Sequence, residues 1–248
     1  MKLLPDVLLD PMRRSLRAAL VSATACLALA PQAAGAADYI EPGAPSILPA
    51  PALSLAPEAG TFQFHLGAAG VFFHPESDFT LLGFPLPGAD TDLSSNLTGS
   101  LEIEYFLSPN FSLAATVGIP PETDADGTGL LAPAGRLGKI HYGLGAAMAK
   151  YRFNGLGAFQ PFVGGGLAYF HVFDTTDGAV ANLDVDSAFG PVVQIGADYM
   201  FTPNIGVFAS VSQAFMDTKG TGTFLLAPVV AKIDFDPTVV QAGLTVRF

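Results

Sequence analysis

In the stretch Leu93-Ser94-Ser95-Asn96-Leu97-Thr98-Gly99-Ser100-Leu101-Glu102-Ile103-Glu104-Tyr105, one parity carries Leu93, Leu97, Leu101, Ile103 and Tyr105. The other carries Ser94, Asn96, Thr98, Ser100, Glu102 and Glu104. Alternation with a period of two places the two sets on opposite faces of a strand. One face is apolar and the other polar. The last residues repeat the pattern, with Val240, Ala242, Leu244, Val246 and Phe248 opposite Gln241, Gly243, Thr245 and Arg247. Phe111, Leu113, Ala115, Val117 and Ile119 alternate in the same way, as do Phe189, Val193, Ile195, Ala197 and Tyr199. Phe62, Phe64 and Leu66 oppose Gln63 and His65.

Dividing the chain at its turn signals predicts eight strands, over 61–74, 92–107, 110–119, 137–153, 159–173, 185–201, 204–218 and 231–248. The connections alternate. Short ones at 107–110, 153–159 and 201–204 are interleaved with long ones near 75–91, 120–136, 174–184 and 219–230. Outer-membrane barrels distribute their loops in this way, with the short turns on the periplasmic side. A soluble sandwich or lipocalin-like barrel also alternates, but its polar face meets water and carries many Lys and Glu residues. Here that face carries Gly, Ser, Thr, Ala and Gln, as a narrow lumen would. The predicted fold is all-β, an eight-stranded antiparallel up-and-down transmembrane β-barrel, because a closed sheet leaves no backbone group unpaired toward lipid.

Composition agrees. Apolar residues make up 50% of the 248 and charged ones 13%, against a usual ~25% charged. The formal net charge is −11, with no basic patch, which argues against nucleic acid. Arg13, Arg14 and Arg17 precede an apolar run from Ala18 to Ala30, followed by the small-residue pattern Ala34-Gly35-Ala36. That order describes a secretory signal peptide over 1–36, with Met1 and Met12 both available as the start. Cys26, the only cysteine, falls inside this leader. Residues 37–60, rich in Pro and Ala, read as a flexible N-terminal tail, and 61–248 as the barrel. No run of about 18 apolar residues follows the leader, so a second membrane helix is not expected.

Alternation points Glu102, Glu104, Lys150, Arg152, Asp198 and Arg247 inward, all near the short-turn end. Opposite charges at one level predict an ion-pair plug or gate, since an unpaired charge there is costly. Higher up, the fourth and fifth strands are apolar or small on both faces, so parity does not tell which side is the lumen. Leu144, Met148, Phe162 and Phe170 are the candidates to line an apolar cavity. The loop Leu81-Leu82-Gly83-Phe84-Pro85-Leu86-Pro87-Gly88 is apolar enough to cap it, or to rest on lipid. His65, His74, His141 and His171 lack metal spacing and read as structural or rim residues, so neither a metal nor a cofactor is expected. Gly164-Gly165-Gly166 lies within a strand and is not a phosphate loop. No catalytic motif stands out, so the chain is not expected to be an enzyme. Acidic residues crowd the long loops as solvated charges, with divalent-cation bridging to lipopolysaccharide as a lesser alternative.

The segments Phe159-Gln160-Pro161-Phe162-Val163-Gly164-Gly165-Gly166-Leu167-Ala168-Tyr169, Asp186-Ser187-Ala188-Phe189-Gly190-Pro191, Gly196-Ala197-Asp198-Tyr199-Met200 and Val246-Arg247-Phe248 resemble the OmpW family of outer-membrane proteins from about Gly60 onward. The resemblance implies a Gram-negative outer-membrane barrel with an apolar interior that passes small hydrophobic or otherwise small uncharged molecules. Absent Trp departs from the family, leaving Tyr and Phe to form the interfacial belts and any Trp-dependent gate without a counterpart. The resemblance also implies lipid, lipopolysaccharide and the barrel assembly machinery as partners. Leu244, Val246 and Phe248 would form the strand signal that this machinery reads. The expected function is passive passage of small hydrophobic solutes with lateral exit to lipid. Its rivals are a structural or surface-interaction barrel and a narrow channel for small polar solutes.

Overall fold

The computed structural model describes residues 54–248; the expected leader and the expected tail up to residue 53 lie outside the described residues. The strands are β1 (Phe62–Phe72), β2 (Glu76–Leu81), β3 (Phe84–Pro85), β4 (Ala89–Leu93), β5 (Asn96–Phe106), β6 (Phe111–Gly118), β7 (Glu122–Gly129), β8 (Arg136–Arg152), β9 (Phe159–Asp177), β10 (Val180–Val185), β11 (Ala188–Met200), β12 (Ile205–Ala214), β13 (Asp217–Phe224), β14 (Ala227–Asp234) and β15 (Thr238–Arg247). Eight of them, β1, β5, β6, β8, β9, β11, β12 and β15, pair antiparallel in chain order, and β15 returns to β1 through Gln63↔Arg247 to Phe72↔Thr238. The barrel is closed.

The segments expected as long loops are mostly strand. Above the barrel, β4 pairs with β7 and β7 with β8, while β10, β13, β14, β2 and β3 form a second sheet. Their hairpins continue the ladders beyond the level at which an apolar outer face is needed, so Thr, Gly and Asp residues serve there as well as Val or Leu. Six of the eight wall strands break where the two regions meet, at 73–75, 94–95, 119–121, 186–187, 215–216 and 235–237. Pro75, Pro120, Pro121 and Pro237 stand at these breaks, where a residue without an N–H interrupts a ladder. Only β8 and β9 cross the level unbroken, and there the register between them shifts at His141/Tyr142.

The outer wall meets hydrocarbon. Leu66, Leu97, Leu113, Val117, Leu167, Val193, Ile195 and Leu244 are exposed along it. Near the short turns the pairs Phe62–Tyr105, Phe111–Tyr151 and Tyr199–Phe201 hold their ring centroids 4.8, 4.9 and 5.5 Å apart. Toward the other end Tyr169 stacks on Phe189 at 4.2 Å, with His171 and Phe173 beside it. These are two aromatic girdles built without Trp.

Candidate functional site

Inward positions of the regular strands converge on a charged layer close to the short turns. Lys150 and Arg152 from β8, Glu102 and Glu104 from β5, and Asp198 from β11 are all buried. Lys150 Nζ lies 2.5 Å from Glu102 Oε1 and 3.9 Å from Glu104 Oε2. Arg152 donates through Nη2 to both Glu104 oxygens at 3.1 Å and through Nη1 to Asp198. Ser112 and Thr116 of β6 donate to Glu104 and Glu102 at 2.5 and 2.9 Å, and Thr245 of β15 donates to Asp198 at 2.6 Å. Each carboxylate therefore has several partners, which is what permits charge in so dry a place. Phe162 lies under the cations, 4.5 Å from Lys150 Nζ and 5.2 Å from the Arg152 guanidinium carbon. Gly164 leaves room for the Lys150 stem, since a Cβ there would stand 3.0 Å from Lys150 Cγ.

His65, read from the sequence as structural or rim, sits at the centre. Its Nδ1 is 2.6 Å from Glu102 and its Nε2 2.8 Å from Asp198, so it ties β1 to β5 and β11. The signal was its parity, shared with Gln63 against Phe62, Phe64 and Leu66. His65, Glu102 and Glu104 bring potential metal-ligand atoms within 4.8 Å of one another. Lys150 already supplies positive charge at that point.

Arg247 lies one step lower and is held by amides rather than by a carboxylate. It donates to Gln63 Oε1 at 2.6 and 2.9 Å, to Gln160 Oε1 at 3.0 Å and to the Leu55 carbonyl at 2.7 Å. Gln160 Nε2 donates to the same carbonyl at 2.6 Å, and Pro57 is buried beside this contact in the chain. The end of the Pro-rich segment is thereby fastened across the base.

Above the charges the interior divides in two. A lower cavity is lined by Val71, Leu144, Met148, Ala168, Val192 and Val239, with Ser100, Thr116, Ser212 and Gln241 nearest the charged layer. An outer cavity presents apolar surface: Phe79, Leu93, Leu137, Ile140, Val180, Val229 and Ile233 line it, with Thr91, Thr218 and Thr221 among them. Between them four rings form a closed circuit. Centroid distances are 5.6 Å for Phe73–Tyr142, 5.0 Å for Tyr142–Phe170, 4.8 Å for Phe170–Phe235 and 6.2 Å for Phe235–Phe73. All four stand at or beside the level where the strands break. Of the cavity candidates, Leu144 and Met148 line the lower space, Phe170 belongs to the ring circuit and the outer space, and Phe162 belongs to the charged layer. Leu244, Val246 and Phe248 share the lipid-facing side of the last strand.

A closed antiparallel barrel with a greasy outer wall, two aromatic girdles and a base filled by paired charges is an integral outer-membrane protein of a Gram-negative bacterium. The comparisons with known proteins make this specific. The chain matches the OmpW family over residues 58–248 and belongs to that family. It is 28% identical over 193 residues to the dibenzothiophene metabolism operon protein PahQ of Pseudomonas aeruginosa, covering 77% of this chain and 90% of that one. It is 29% identical over 171 residues to outer membrane protein AlkL of Ectopseudomonas oleovorans, covering 69% of this chain and 74% of the relative. A solid-state NMR structure of AlkL in DMPC bilayers superposes with a TM-score of 0.65 at 27% identity, covering 80% of this chain and 95% of that one. The crystal structure of OprG from Pseudomonas aeruginosa shares the fold at a TM-score of 0.73 and 23% identity, covering 78% of this chain and 98% of that one.

Proposed function

We propose that this barrel is a passive route for small hydrophobic molecules, which enter the outer cavity, pass the four rings into the lower cavity, and leave sideways into lipid. The carrying observation is the stacking of two largely apolar cavities on a base of buried, paired charges. Such an interior favours an uncharged, water-poor solute and offers no straight path to the periplasm. The operon name of PahQ, a relative, concerns dibenzothiophene metabolism, which fits an aromatic hydrophobic cargo.

The sideways step is supported at one seam. The β5–β6 ladder ends at Ser100↔Gly118; beyond it only the Ile119 N–H to the Gly99 carbonyl and the Thr98 hydroxyl to the Ile119 carbonyl bridge the seam, and Pro120 and Pro121 follow. Ile119 is 67% exposed on the outer wall, yet it also lines the lower cavity with Thr98 and Pro121. A solute at this place has lipid within reach. The charged base and the seated Leu55 carbonyl act as the plug that makes this exit preferable. Proteoliposomes loaded with a hydrophobic tracer sink, with and without the barrel, test the reading. Faster influx with the protein is expected, and equal influx overturns it.

A further inference from the structure

Two tips of the outer sheet carry leucine where neither water nor the backbone favours it. Leu82-Gly83 joins β2 to β3 and Leu225-Leu226 joins β13 to β14, and these four residues have positive φ values of 53°, 83°, 49° and 66°. A two-residue hairpin turn of this kind prefers Asn-Gly or Asp-Gly, because most side chains are crowded in the left-handed region. Leu226 is 98% exposed, and Leu82, Phe84 and Leu225 are 61, 76 and 83% exposed. The tips stand side by side, since the Leu82 N–H donates to the Pro228 carbonyl at 3.1 Å. Residues 79–89 and 220–231 contain no charged side chain. An apolar patch is thus held open to water at a cost in backbone strain, and such a patch marks a contact.

That contact is not with the barrel's own membrane. Between the tips and the wall the outward rows of the same sheet are charged and exposed: Glu76, Asp217 and Asp234, then Asp78, Lys219 and Lys232. From Asp217 to Phe224 the strand runs roughly 23 Å. A folded partner is normally fixed by polar contacts around an apolar centre, and the tips offer no charged group for that purpose. They do continue into the outer cavity: Val180 pairs with Phe224 and Val229 with Leu81, and both valines line that space. We propose that Leu82, Phe84, Leu225 and Leu226 form an adsorption site for liquid hydrocarbon, through which the barrel meets its cargo as a droplet or film rather than as dissolved molecules. Contact with a liquid needs apolar area and no directional bond, which is what these four side chains supply. The inference rests on the channel reading and names the state in which the solute is met.

The test mixes the barrel in lipid nanodiscs with a hexadecane emulsion and measures the protein in the floating layer after centrifugation. Leu82→Asn with Leu225→Asn and Leu226→Gly places at both turns the residues they favour, so the fold is kept while the leucines go. The wild-type barrel is expected to float with the oil roughly tenfold more than this variant, the least that burial of three leucine side chains is worth. Phe84→Ser leaves both turns as they are, should lower adsorption by a smaller factor, and serves if the triple variant fails to fold. Equal flotation of the wild-type barrel and both variants overturns the proposal. So does binding of wild-type nanodiscs to each other without oil, or to phosphatidylcholine vesicles as strongly as to droplets, since the tips would then hold a second copy or a bilayer. Influx of a dissolved tracer judges the channel reading separately. The wild-type barrel and the triple variant should match there, and influx no faster than in barrel-free vesicles defeats the passage while flotation still decides the adsorption site.

Discussion

The charged base and the cavities above it occupy one barrel with one alternation of side chains, yet they are held together by opposite means. In the base each residue has named partners on other strands: Asp198 is reached from β1, β8 and β15, and Glu102 from β1, β6 and β8. In the cavities the residues are interchangeable in kind, and what matters is bulk and the absence of charge. Removing one member of the base strands its partners. Removing one cavity residue enlarges a space that already exists. The base should therefore be intolerant and the interior above it permissive.

The largest effect is expected where the base is broken. Asp198→Ala leaves Arg152 and His65 without their shared carboxylate and should cost about 3–5 kcal/mol, read as a lower melting temperature by circular dichroism in detergent. A double replacement, Asp198→Leu with Arg152→Met, should cost clearly less than the sum of the single changes. If the costs simply add, the network is not acting as a unit. Next in size is the ring circuit. Phe170→Ala and Phe235→Ala should each cost about 3 kcal/mol while raising tracer influx, because the two cavities then merge. A destabilised variant with slower influx would mean that the rings support the passage rather than narrow it.

Smaller still is the seam. Pro120→Thr with Pro121→Val restores two N–H donors where the β5–β6 ladder stops, and should slow influx with little change in melting temperature. Unchanged influx would place the exit elsewhere. At the outermost hairpin Leu225 and Leu226 hold φ values of 49° and 66°, and both are largely exposed. Leu225→Asn with Leu226→Gly should stabilise the β13–β14 hairpin by about 1–2 kcal/mol, visible as slower amide exchange there.

The least effect concerns charge on the outer sheet. Asp234 faces Asp217 and Glu76 across its two neighbours, and partial burial together with Asp217, Glu76 and Asp78 raises its carboxyl above the usual range. A raised folded pKa means that the favourable contribution is present at low pH and is lost as pH rises through that raised value. Asp234→Asn should therefore slow exchange in β14 at neutral pH and make no difference once the medium is acidic enough to protonate the wild-type carboxyl.

Much of the base was legible because its strands are regular. Parity alone turns Glu102, Glu104, Lys150, Arg152, Asp198 and Arg247 inward, and the short turns place them at one end. Height was harder to read. Phe162 and Phe170 share a face of β9, but one lies under the cations and the other in the ring circuit, a difference set by strand tilt and register rather than by pattern. His65 had the right parity, but its role depends on which residues of β5 and β11 reach its level. That is a long-range fact no local period contains. The outer hairpins were hidden because strands that need no greasy face look like loops in composition.

One small contact has a bearing on assembly. Arg247 belongs to the last strand and Gln63 to the first, and together with Gln160 they hold the Leu55 carbonyl. Until the two ends of the wall have zipped together, that cradle does not exist, so sealing the underside follows completion of the cylinder. A protease cutting ahead of Gly60 would then act as a clock: cleavage should be fast on half-built chains and slow on finished ones.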